Sequence, residues 1–82
     1  MTENIERGDY YEDCASQPVV CTDADYSQDL VSGISLLTGT LGSCSIVNCG
    51  VRQLSPDEAL DRAVNWEQWA AERGLEPDRA KY

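Results

Sequence analysis

A chain of 82 residues makes one small domain that buries only about 60% of its unfolded surface, so the core is small and a staple would help it. Fifteen acids against six bases give a net charge of −9, which excludes direct nucleic-acid binding built on Lys and Arg neutralising phosphates. Histidine is absent, and no nucleophile–base pair, phosphate loop or metalloprotease motif occurs, which points away from an enzyme.

The charge is lopsided. Residues 1–29 hold eight acids and only Arg7, residues 30–51 hold no charge at all, and residues 52–82 hold seven acids and five bases. The start, TENIERGDYYED, lacks the apolar core of a signal peptide. The expectation is a protein kept in the cytoplasm, where thiols usually stay reduced, or inside a larger assembly, a phage-encoded one among the candidates.

In chain order, residues 1–22 read as an irregular acidic arm punctuated by Gly8 and Pro18. Val19-Val20-Cys21 could add a short edge strand with Pro18 at its start. Thr22-Asp23-Ala24-Asp25 reads as a helix start, with caps and acids at the positive end of the dipole. At 100° per residue Tyr26, Leu30, Ile34, Leu37 and Leu41 form a stripe about 80° wide, which predicts a helix over 24–41. A cysteine-bearing loop then fills 42–54.

Ser55-Pro56-Asp57-Glu58 is a full helix start: a cap, a proline at the first helical position and a capping-box glutamate. Gly74 and Pro77 close that helix, with Leu75 meeting Ala70, so the second helix spans 56–73. Its apolar arc of about 160° is rich in alanine and suits a close helix neighbour. The predicted fold is therefore mainly α: an αα-hairpin in a single domain (1–22 arm, 23–41 helix, 42–54 loop, 55–74 helix, 75–82 tail).

The uncharged stretch 30–51 is long enough to cross a bilayer as one helix, which is a second alternative. Its Gly, Ser, Thr and Asn residues outnumber Leu, Ile and Val, and membrane insertion is the weaker reading.

Three features could carry chemistry. Cys14, Cys21, Cys44 and Cys49 form C-x6-C and C-x4-C pairs, candidates for disulfides, a zinc or an iron–sulfur cluster, although neither pair has the C-x2-C knuckle of a zinc ribbon. Buried free thiols are the plain alternative. Glu67 falls inside the apolar arc of the second helix, where Arg52 or another cation would have to reach it, unless it faces a partner or snorkels out to water. Trp69 projects outside that arc beside Glu58, Arg62 and Arg73, a Trp–Arg composition found at interface hot spots, or else the arm covers it with Arg73 stacked on the ring.

These readings converge on a small acidic non-catalytic interaction module, an accessory or inhibitor subunit, with no bound cofactor. Its candidate contact residues are Trp66, Trp69, Glu67, Arg62 and Arg73, its partner is a protein, a basic one fitting best, and self-association is another way to finish so small a core. The alternative is a metal- or redox-responsive protein in which the four cysteines act together.

Overall fold

The computed structural model describes residues 5–74. Five strands, β1 (Tyr10–Glu12), β2 (Pro18–Asp25), β3 (Leu30–Ser35), β4 (Leu41–Ser45) and β5 (Arg52–Leu54), are followed by two short helices, α1 (Pro56–Val64) and α2 (Trp66–Glu72). Strand accounts for 36% of the structure and helix for 23%, so the expectation of a mainly α fold is overturned. The strands form one antiparallel sheet in the order β4-β3-β2-β1-β5. β1 to β4 run up and down in sequence, and β5 returns to pair with β1.

The helix expected over 24–41 is instead the end of β2, a turn, β3, a second turn and the first residue of β4. In β3, Val31, Gly33 and Ser35 are buried while Leu30 and Ile34 are exposed, the period of two that a half-buried strand requires. Both turns are built locally. Asp25 Oδ1 accepts hydrogen bonds from the Ser27 and Gln28 amides, and Asp29 takes a left-handed φ of 54°. In the second turn Gly39 sits at φ 73°, where a side chain would strain the backbone. The αα-hairpin is absent, because the first of its two helices does not form.

The arm expected over 1–22 contains β1 and the first half of β2. Val19-Val20-Cys21 lies in the central strand of the sheet, not at an edge, with Pro18 at its first position. The loop expected over 42–54 contributes β4 and β5. The stretch 30–51 is two strands with their turns, and no helix among the described residues is long and apolar enough to cross a membrane.

The inner face of the sheet holds the core: Tyr11, Val19, Cys21 and Val31, covered by Ile5 and by Ile46 and Val51 from the β4–β5 connection. Tyr11 crosses the sheet over Gly33. A Cβ built on Gly33 would stand 2.7 Å from the Tyr11 hydroxyl and 2.5 Å from the Val20 carbonyl oxygen, so only glycine fits.

α1 starts at Pro56 with Ser55 as cap, its Oγ accepting from the Glu58 amide at 3.1 Å. The expected 56–73 helix is broken at Asn65, which ends α1 and precedes α2. Trp66 and Ala70 of α2 form a second small core with Leu37 and Trp69. The 75–82 tail, and with it the expected Leu75–Ala70 contact, lies outside the described residues.

Candidate functional site

The proposed helical contact residues lie largely within the fold. Trp66 is 7% exposed and Arg62 4%. Arg62 Nη1 donates to Glu12 Oε1 at 2.6 Å and to the Ser16 carbonyl at 3.3 Å. Trp69 is half-buried, stacked on Trp66 at 5.4 Å, with the Arg62 and Arg73 guanidinium carbons 4.1 and 4.2 Å from its ring centroid. Glu67 is exposed, and Arg52 pairs with Glu12 at 3.3 Å and Glu58 at 3.4 Å. Glu67 therefore has no buried charge to compensate.

Exposed apolar side chains stand on α1 at Leu60 and Val64, at Val47 after β4, and in register on the outer face of β3 and β4. Ile34 and Leu41 stand opposite each other in register, 38% and 69% exposed, and Leu30 is 39% exposed opposite Ser45. Between them the Ser32 and Ser43 hydroxyls share a hydrogen bond of 2.7 Å. Sequence periodicity marked Leu30, Ile34 and Leu41 as an apolar stripe but assigned them to a packed helix, so their exposure went unread.

β4 borders this strip and pairs only with β3 among the described residues. The Ser35 amide bonds to the Thr40 carbonyl and the Ile46 amide to the Asp29 carbonyl. Antiparallel bonding alternates between these two anchors, so Gly42 and Cys44 face β3 while Leu41 and Ser43 turn their amides to the free edge. The strand, Leu-Gly-Ser-Cys-Ser, carries none of the lysines, prolines or other charges that usually block an edge.

The chain that carries the strip is one-sided in its sequence, with Glu12 paired to Arg52 and Arg62. From Gly8 to Val51 the chain contains six carboxylates and no Lys or Arg. Two of them are held ionised at the ends of β2 and β3. The Ser27 hydroxyl and the Ser27 and Gln28 amides lower Asp25 below the usual carboxylate range. Asp29 is lowered by the Ser45 hydroxyl first and then by the Val47 amide, which donates at 2.9 Å. These bonds also tie the β2–β3 turn to the connection after β4.

All four cysteines are free thiols. Cys21 is buried in the inner core, Cys44 packs against that core, Cys14 is exposed and Cys49 is half-buried. Cys14 and Cys44 line a cavity of about 330 Å³ on the inner side, together with Tyr11, Asp13, Gly33 and Gly42. Burial, then Cys49, pushes the Cys44 thiol up to about 12. Burial also raises Tyr11 well above the usual tyrosine range, so its hydroxyl stays neutral. Among the described residues no group of three or more Cys, Asp or Glu side chains is arranged to hold a metal ion.

No protein-family model, no curated protein and no solved structure matches this chain.

Proposed function

We propose that this chain is a non-catalytic protein-interaction module that captures an extended, basic segment of a partner along the free edge of β4. The observation that carries the reading is the meeting of three properties in one place. The β4 edge has outward amides and no blocking charge, the adjoining outer face exposes Ile34 and Leu41, and the chain from Gly8 to Val51 carries carboxylates but no Lys or Arg. Added strands gain affinity from main-chain hydrogen bonds and specificity from alternate side chains. Here alternate apolar residues of the partner would lie beside Leu41 and Ile34, while its Lys or Arg side chains answer the carboxylates.

The charge also argues against a second copy as the occupant. Two chains of net charge −9 repel, whereas a basic segment is steered inward.

The test is calorimetric titration of the full chain with a short peptide alternating lysine and valine. A control peptide carries glutamate in place of lysine. The expected result is binding by the lysine peptide alone, weakening as salt rises. Leu41→Asp should weaken it on the order of tenfold, with Val64→Asp on α1 as a neutral control. Equal losses from both variants, or pairing of the chain with itself through β4, would overturn the reading.

A further inference from the structure

The cavity of about 330 Å³ on the inner side of the sheet lies against the same edge strand that receives the partner: Leu41, Gly42, Ser43 and Cys44 form one of its walls. Gly42 and Gly33 are paired across β4 and β3, so two neighbouring positions of the inner face carry no side chain. The Gly33 side is closed, since a Cβ there would stand 2.5 Å from Val19 Cγ1 and 2.7 Å from the Tyr11 hydroxyl. The Gly42 side is open, with nothing within 4 Å of a built Cβ. Glycine inside a strand marks a place where a ligand or another chain can approach closely.

We infer that this cavity takes one lysine or arginine side chain of the docking strand, its apolar stem over Gly42 and its cation at Asp13; the inference rests on the strand pairing proposed at β4. Side chains of a strand alternate between the two faces of a sheet. The partner residue opposite Leu41 therefore turns to the outer face, and its neighbour opposite Gly42 turns inward. Leu41 and Ser43 exchange hydrogen bonds with an antiparallel partner, so the position opposite Gly42 is a close pair, with Cα atoms about 4.5 Å apart. The side chain at that position meets no Cβ at Gly42 and enters the cavity directly.

The chemistry of the walls selects the occupant. Val19 and Tyr11 give an apolar lining, and Asp13 is the only charged residue among the described residues that line it. Asp13 Oδ1 is fixed by the Ala15 and Gln17 amides, which donate at 2.9 and 3.0 Å. An ionised carboxylate offers about four acceptor sites, so it can meet a cation in addition to these amides. A lysine or arginine stem covers apolar surface with its methylenes while its cation reaches a polar end. An acidic side chain would face Asp13 with like charge. The volume lies at the lower end of the roughly 300–1,000 Å³ of small-molecule pockets, room for a side chain rather than a large cofactor.

The experiment is isotope-filtered NMR of the labelled full chain with the lysine–valine peptide, joined to calorimetric titration of two charge variants. The expected result is new protection of the Leu41 and Ser43 amides, with nuclear Overhauser contacts from lysine methylenes to the Tyr11 ring and Val19 methyls. Valine methyls should contact Leu41 and Ile34 on the outer face. Asp13→Asn keeps an acceptor for the Ala15 and Gln17 amides and should weaken binding on the order of tenfold. Asp23→Asn removes the same charge from an exposed position of β2 outside the cavity and should weaken binding by less than about twofold. Edge protection with equal losses from the two variants, or with valine rather than lysine against Tyr11, would overturn the cavity assignment and leave the strand pairing standing. Absence of edge protection would overturn both. The contacts in the parent complex decide the question alone if a variant fails to fold.

Discussion

Arg62 Nη1 on α1 stands 2.6 Å from Glu12 Oε1 on β1, a buried guanidinium fastening helix to sheet. The same guanidinium lies over Trp69, and its Nε is buried without a partner. Glu12 has a second cation in Arg52, whereas Arg62 has no second carboxylate among the described residues. Removing the acid thus strands a buried charge, while removing the base does not.

Glu12→Gln should destabilise the protein by roughly 3 kcal/mol in urea unfolding, since one partner of a buried pair is lost. Arg62→Met should cost less, about 1 kcal/mol, because an apolar chain can keep the contact with Trp69 and Glu12 retains Arg52. Equal costs would contradict the asymmetry.

Gly33 and Gly42 face each other across β3 and β4 but should respond differently to a methyl group. At Gly33 the new Cβ would meet the Val20 carbonyl and Val19 Cγ1 at 2.5 Å, and backbone cannot swing aside. Gly33→Ala should cost about 3 kcal/mol, as overpacking does in a tight core. At Gly42 nothing lies within 4 Å, and Gly42→Ala should stay within roughly 0.5 kcal/mol of the parent. Thermal melting of the two variants checks the position of Tyr11 across the sheet.

Acid should loosen the tie between the two ends of β3 and β4. The Asp29 carboxyl is lowered by the Ser45 hydroxyl and the Val47 amide, so the folded chain binds its proton less readily than the unfolded one. Its stabilisation is therefore present above the ordinary aspartate value of about 4 and is lost as pH falls through the lower folded value. Asp29→Asn should flatten the acid limb of the stability curve relative to the parent. Carbon-13 NMR of the Asp29 carboxyl should show a titration below the ordinary value, and a midpoint above it would refute the turn geometry.

The opening of α1 was legible because capping chemistry is local: Ser55, Pro56 and Glu58 need only one another. The helix over 24–41 was misread for an equally physical reason. Leu30 and Ile34 are four apart, and a spacing of four fits both a helix face and one side of a strand. The buried Val31, Gly33 and Ser35 between them decide the matter, and two of these three are small residues that a hydrophobic stripe does not count. Gly39, inside the expected helix, is a turn residue. The acidic asymmetry of the surface was plain in the sequence. The exposed strip was not, since it depends on which strands pair and where the sheet ends. The cysteine spacings paired 14 with 21 and 44 with 49; the sheet buries Cys21 in its core and leaves Cys14 exposed, while Cys44 and Cys49 are both half-buried.

The central claim is that the β4 edge receives a partner strand, and amide hydrogen exchange along β4 with the lysine–valine peptide present tests it most directly. The expected result is new protection at Leu41 and Ser43, whose amides face outward, with little change at Gly42 and Cys44, already bonded to β3. Binding of the peptide that leaves Leu41 and Ser43 exchanging as before would show charge attraction without strand pairing, and would contradict the account.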